Sequence, residues 1–406
     1  MTKDEEIIKS IEKSIGISIP NHNSSPFSND IYFEEKNGAI TKIKLSKCGI
    51  KDTTLLLDLN MLTKLSHLDL EQNEIKELAG LENLLNLDVL KLSQNQLAGC
   101  NGLERLQNLE FLYLGDNKIT EITGLDSLCK LSELHLEGNC ISEIKGLNSL
   151  ANLHTLDLER NPISEIKGLE NLNLRSLSID NCGITEIKGL ETLIKLYLLD
   201  LRKNKITEIK GLDKLEKLKF LYLQQNGITE IKGLDILKNL QELYLQQNGI
   251  TEIKGLDILK NLEELHLHEN KITGIKGLDG LSRLRLLSLH SNKIAELQGL
   301  ENLTSLSTLK LLDNPFPRPQ DVDMNNINAV KEYCKGRAFH RYESRRVAGL
   351  QQLPELFKKR SRIPLAELAT MFDVPASKVT EWIEDLNLMD KISTEIKEGI
   401  VFVKTL

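Results

Sequence analysis

Aromatic side chains are scarce in this chain: they make up 4% of its 406 residues, with one tryptophan. The apolar 40% is therefore mostly Leu and Ile, which suits a narrow aliphatic core built from many equal layers. No run of 18 apolar residues occurs, so nothing reads as a membrane-spanning helix. The opening stretch, MTKDEEIIKSIEKSIG, is charged and amphipathic and lacks the apolar region of a secretory signal. A soluble, cytoplasmic protein with no membrane partner is the expectation. Six cysteines (Cys48, Cys100, Cys129, Cys140, Cys182, Cys334) show no CxxC spacing, which argues against a zinc ribbon or a disulfide framework. The net charge of −7 argues against a general affinity for nucleic acid.

What is present is repetition. LYLQQNGITEIKGLDILKNL occupies residues 221–240 and returns unchanged at 243–262. A template LxxLxLxxNxI runs from residue 40 to 316. Its Asn falls at Asn73, Asn95, Asn117, Asn139 and Asn161, then at Asn204, Asn226, Asn248, Asn270, Asn292 and Asn314. Cys182 takes the position in one shortened copy and Cys48 in a divergent first copy, giving thirteen copies, mostly 22 residues long.

The spacing carries a mechanism. LxL alternates with period two and reads as a short strand whose leucines point inward. Successive copies then pair as a parallel sheet, ~4.8 Å apart. No copy can bury its leucines alone, so each depends on its neighbours. The Asn stands where the chain leaves the strand, and its amide can satisfy backbone groups of two adjoining copies. Cys48 and Cys182 fit that place but bond weakly, so two weaker rungs are expected there. A Gly recurs at one fixed phase, from Gly80 to Gly299, and implies a backbone conformation or close approach that a Cβ would obstruct. The return path is too short for a full α-helix, and short 3₁₀ turns are expected.

This template resembles the leucine-rich repeat, and ITEIKGL at 22-residue spacing is similar to the subclass in the protein phosphatase one regulatory subunit. Bacterial internalins have a similar period but are secreted and generally lack this Gly. The resemblance implies an α/β solenoid with a parallel sheet on its concave face, a 3₁₀-rich convex side, and a partner protein on the concave face. Regulation of a phosphatase is a further implication of the resemblance.

The ends differ from the repeats. Residues 1–30 read as an N-terminal helix and linker, and 31–316 as the solenoid with an N-terminal hairpin cap around Asn37-Gly38. Residues 317–340 read as a C-terminal cap and basic junction. In 341–406, IPLAELATMF and SKVTEWIEDLNLM form a helix–turn–helix, followed by two strands around Glu398-Gly399. That order describes a winged helix. RIPLAELATMFDVPASKVTEWIEDLNLMDKIS resembles the winged helices of PCI-type scaffold subunits and of the ufmylation machinery, which implies a protein-docking module. Trp382 is expected at the edge of its core.

Residues 331–362 hold ten Lys or Arg against three Glu, a balance of +7, which leaves −14 for the rest. The segment is either a solvated helical junction or a contact for nucleic acid or an acidic partner. The contact residues would be Arg345, Arg346, Lys358, Lys359, Arg360 and Arg362. The second helix of the pair carries Glu381, Glu384 and Asp385, which phosphates would repel, so protein is the preferred partner over nucleic acid.

On the outward side of the strands, aromatic and acidic residues collect in the middle: Phe111, Tyr113, His135, Asp157, Glu159, Asp180, Asp200, Phe220, Tyr222 and Tyr244, then His266, His268 and His290. Rings on a rigid exposed sheet are typical interface anchors; the alternative is a surface that merely tolerates them. The three histidines form the best metal triple, yet no metal and no cofactor is expected. Catalysis is not expected either. Ser178 and His135 would lie two strands, ~10 Å, apart, well beyond hydrogen-bond reach of ~3 Å. Asp157 and Asp200 stand equally far apart. The function expected from sequence is a non-catalytic, monomeric adaptor. It grips one partner on the inner sheet and docks a second on the winged helix. A nucleic-acid-associated regulator is the alternative.

Overall fold

The computed structural model describes residues 2–22, 30–317, 319, 322–360, 362–388 and 394–403, without the side chains of 338–341 and 388. Most of the expected linker (23–29), the Arg341 side chain and Met389 lie outside the described residues. The chain divides into two compact units, Met1–Glu296 with Asn302–Pro317, and Leu297–Glu301 with Arg318–Leu406.

The first unit opens with helix α1 (Lys3–Ile15). Thr2 caps it through a reciprocal pair with Glu5, and Ile7, Ile8 and Ile11 are buried. Strands β1 (Ile31–Lys36) and β2 (Ala39–Leu45) form an antiparallel hairpin. Asn37 and Gly38 turn it at φ 53° and 77°, as Asn-Gly favours. One 3₁₀ helix (Thr53–Met61) follows.

Twelve three-residue strands then recur. They are β3 (His67–Asp69), β4 (Val89–Lys91), β5 (Phe111–Tyr113), β6 (Glu133–His135), β7 (Thr155–Asp157) and β8 (Ser176–Ser178), then β9 (Leu198–Asp200), β10 (Phe220–Tyr222), β11 (Glu242–Tyr244), β12 (Glu264–His266), β13 (Leu286–Ser288) and β14 (Thr308–Lys310). All fourteen strands form one sheet in chain order, parallel from β2 onward. The central residue of nearly every repeat strand is a fully buried Leu.

Each Asn ties three segments together. Asn117 donates to the carbonyls of Leu92 and Leu114, both at 3.0 Å, and accepts from the Leu97 N–H at 2.9 Å. Such groups would otherwise be buried unpaired, at about 1–3 kcal/mol each. At the Cys182 rung the thiol sulfur lies 3.3 Å from the carbonyls of Leu158 and Asp180, a weaker version of the same bridge. Two features were not expected from sequence. The residue before each Asn is left-handed, as at Gln94 (φ 58°) and Lys203 (φ 52°). A second asparagine series links the return turns, with Asn239 donating to Glu216 O at 2.8 Å and Asn261 to Lys238 O at 2.8 Å.

The recurrent Gly has both expected causes. Gly168 sits at φ 80°, and a Cβ there would come 2.2 Å from the Ile144 carbonyl oxygen. The return path carries the short 3₁₀-type turns expected of it, rarely extended into a helix. Among the described residues only Thr53–Met61 forms a 3₁₀ helix. Elsewhere isolated turns recur, as Leu106 N–H to Leu103 O and Leu109 N–H to Leu106 O, too few to propagate.

The second unit contains α2 (Ile327–Lys359), β15 (Arg362–Pro364), α3 (Leu365–Phe372), α4 (Ala376–Leu388), β16 (Thr394–Lys397) and β17 (Ile400–Val403). The three strands form an antiparallel sheet in the order β15-β17-β16. Helix α2 runs unbroken through residues 340–341, where sequence alone places a boundary. Trp382 corrects a second expectation. It is fully buried among Leu353, Phe357, Phe372 and Val379, at the centre of the core instead of its edge. Its Nε1–H donates to Tyr342 Oη at 3.2 Å.

Candidate functional site

The open face of the parallel sheet is set by strand register. The last residue of each strand pairs with its counterpart, giving the row His135–Asp157–Ser178–Asp200–Tyr222–Tyr244–His266–Ser288. Tyr222 and Tyr244 stand 4.7 Å apart, and Tyr244 stacks on His266 at 4.2 Å and 8°. Further along, His268 stacks on His290 at 4.3 Å. Nearer the start, Tyr113 stacks on His135 at 4.7 Å, with Lys91 Nζ 5.1 Å from the Tyr113 ring. Phe111 and Phe220 occupy the first residue of their strands and are half-buried. Phe220 meets Tyr197 edge-on at 5.0 Å.

Carboxylates flank the rings. Tyr244 Oη donates to Glu242 at 3.0 Å, and burial together with Glu242 raises the phenol above its ordinary range. Glu264 lies 3.3 Å from His266 Nε2. Between the two ring groups the face is acidic. Glu159 is half-buried and pairs with Arg160 at 3.2 Å. Asp180 and Asp200 are 1% and 4% exposed, which corrects their expected place on the accessible surface. Arg202 reaches both, at 3.4 Å and 2.6 Å, so the accessible group there is its guanidinium. Burial, with the charges of Glu159 and Asp200, pushes the Asp180 carboxyl up to about 7 despite Arg202. Burial also raises Asp157 and Asp200.

The rings read as outward-facing do stand on the open side of the sheet, and Arg202, Glu242 and Glu264, which the sequence reading did not single out, stand beside them. Their signal was there: each occupies a neighbouring outward position of the same template. The histidine triple does not close on a common point. Burial and the neighbouring His290 and His266 push His268 down to about 4, and its Nδ1 lies 3.2 Å from Ser288 Oγ. Among the described residues one ligand-bearing group does converge, namely His135, Glu137 and Asp157. Ser178 and His135 are separated by a whole strand carrying Asp157, so they form no nucleophile–base pair.

In the second unit the basic residues mostly have partners. Arg345 meets Asp373 at 2.5 Å, Arg346 meets Asp385 at 2.7 Å, and Lys358 meets Glu355 at 2.6 Å. Arg360 pairs with Glu367, and the Arg362 guanidinium lies 5.4 Å from the Phe402 ring centroid. Lys359 is exposed. Cations already engaged this way offer less to phosphates than a bare patch.

A family model for leucine-rich repeats, in pairs of copies, matches residues 85–127, 129–171, 216–258 and 238–281. The solenoid is built of leucine-rich repeats. Among solved structures, the chain is similar to the Listeria monocytogenes internalin InlF at 22% identity and TM-score 0.55, covering 75% of this chain and 94% of that one. The functional domain of InlJ from the same organism gives 23% identity and TM-score 0.57, with 69% and 64% covered. The plant peptide hormone receptor RGFR1, solved in complex with RGF2, gives 23% and 0.55, with 69% of this chain and 51% of the receptor chain covered. At these identities the likeness concerns the fold. No curated protein matches the chain in sequence. Leucine-rich repeat proteins typically mediate protein–protein interaction, and their solenoid is generally a non-enzymatic binding scaffold. No described helix is long and apolar enough to cross a membrane.

Proposed function

We propose that this protein is a non-catalytic adaptor whose leucine-rich repeat sheet grips a partner protein on its open face. The observation that carries the reading is the ring row Tyr222–Tyr244–His266 with Glu242 and Glu264 beside it. Rings held by a rigid backbone lose little entropy on binding, and their edges, hydroxyls and carboxylates offer polar contacts around apolar area. The partner surface is taken to include Phe111, Tyr113, His135, Asp157, Glu159, Phe220, Tyr222, Tyr244, His266, His268 and His290, with Arg202 added over Asp180 and Asp200.

The second unit is read as a winged helix acting as a second docking module. Support comes from the succession α3, turn, α4 and the β16–β17 hairpin, and from the ion pairs that occupy Arg345, Arg346 and Arg360. A cytoplasmic location belongs to the same reading. All six thiols are free, which suits a reducing compartment.

The test is affinity capture with the full chain as bait, comparing wild type, Tyr113→Ala/Tyr222→Ala/Tyr244→Ala, and a return-turn control, Lys238→Ser. The triple variant should lose the proteins that both other baits retain. An identical set of captured proteins from all three would refute the assignment of the face.

A further inference from the structure

Three groups on adjoining strands converge beside the Tyr113 ring. His135 ends β6, Glu137 follows it by two residues on the same side of the chain, and Asp157 pairs with His135 across β7. One ligand atom from each lies within 4.8 Å of the other two. Around tetrahedral zinc, ligand oxygens and nitrogens ~2.1 Å from the metal stand ~3.4 Å apart, a separation that small carboxylate rotations reach from here.

The polar atoms in this cluster lack what such atoms normally find. His135 Nε2 and Glu137 Oε2 are both buried with no hydrogen-bond partner among the described residues. The Glu133 carboxylate is 3.6 Å from His135 Nε2, too far for a hydrogen bond. Buried orphan acceptors are rare and call for an explanation, of which an ion is one. The surrounding geometry holds the ligands in place. The Asp157 carboxylate accepts the Glu159 N–H at 3.0 Å, which fixes its orientation. The Tyr113 ring stacks on the imidazole. Gly115, two residues past the end of β5, lacks the Cβ that would come 1.9 Å from Glu137 Oε1. Its φ is not in the left-handed region, so the space it leaves, not its backbone, is what a side chain would cost.

We propose that His135, Glu137 and Asp157 form a binding site for a first-row divalent cation of the zinc type. An imidazole with two carboxylates suits such an ion better than calcium, which takes 6–8 oxygen ligands. Three protein ligands leave at least one coordination position open on the sheet face. The site stands independently of the partner reading, since it needs no second protein.

Titration of the chelator-treated full chain with Co²⁺, followed by visible ligand-field absorption, tests it. Wild type should bind one equivalent. His135→Ala and the isosteric Glu137→Gln, each shown folded by circular dichroism, should bind at least tenfold more weakly, while His268→Ala should match wild type. The proposal is overturned by absence of saturable binding to wild type, by unchanged titrations in the two ligand variants, or by loss of binding in His268→Ala.

Discussion

Tyr222 and Trp382 occupy opposite situations within one chain. Between the ends of the repeat unit the core is aliphatic, with rings buried, among the described residues, only at its two caps (Tyr32, Phe33 and Phe316), and the rings on the strands stand half-buried on the sheet. In the second unit rings lie inside the core: Trp382, Phe372 and Phe357 are buried together among aliphatic side chains. A repeat stabilises itself by copying one thin layer, which leaves no room for a side chain much larger than Leu. A small single core has no such repetition and fills its centre with a few large groups. Aromatics outside the repeat core are therefore available for contact, whereas those in the second unit are committed to folding.

The sharpest way to break that contrast is at Trp382. Trp382→Ala should cost about 4 kcal/mol, the usual range for a fully buried large ring. The loss should appear in the unfolding of the second unit, followed by near-ultraviolet circular dichroism, with the repeat unit's transition unmoved. Tyr222→Ala should leave stability within about 0.5 kcal/mol if its ring is truly a surface group. Equal losses at both positions would erase the distinction.

Next in size is the asparagine ladder. Asn117→Ala strands the Leu97 N–H and two carbonyls, and should cost about 3 kcal/mol in urea unfolding. Cys182→Ala, at the equivalent position, removes only weak thiol contacts and should cost about 1 kcal/mol. If Cys182→Ala proved as damaging as Asn117→Ala, the thiol would be more than a weak rung.

A pH dependence is expected inside the acidic middle of the sheet. The folded Asp180 carboxyl titrates near 7, above its unfolded value of 3.8. The protonated form is thus favoured by the fold, so its stabilising contribution is full at acid pH and lost as pH rises through about 7. Asp180→Asn should be more stable than wild type by about 2 kcal/mol at pH 8, and the gap should shrink as pH falls from about 7 towards 4. A gap indifferent to pH would show that Arg202 fully compensates the buried charge.

Strand register was legible to the residue, because LxL and the following Asn repeat at one phase over the whole array. The left-handed turn before each Asn was not. Gln, Lys, Arg, Asp, Glu and Ser occupy it, with Gly138 the lone glycine, so no glycine pattern marks it. The ring row was readable from template position alone. The burial of Asp180 and Asp200 was not, since it follows from Arg202 folding back across two strands. Likewise the helical spacing around Trp382 shows a buried stripe but not what lies opposite. That is Tyr342 and Gly349 of α2, where a Cβ on Gly349 would come 2.5 Å from the indole. Periodicity reports which side of an element is inside; it says little about how deep.

The two identical segments at 221–240 and 243–262 have a consequence for how the molecule can vary over generations. Because every rung donates to and accepts from its neighbour in the same pattern, excising or inserting one 22-residue unit leaves both new neighbours compatible. Such an event would leave the Tyr113-to-Tyr222 separation as it is and slide the His268–His290 pair relative to Tyr113 by one strand spacing, ~4.8 Å, without opening a hole beneath them. Gain or loss of a whole unit would thus act as a coarse ruler, resetting the reach of the grip in fixed steps while the spine behind it stays whole.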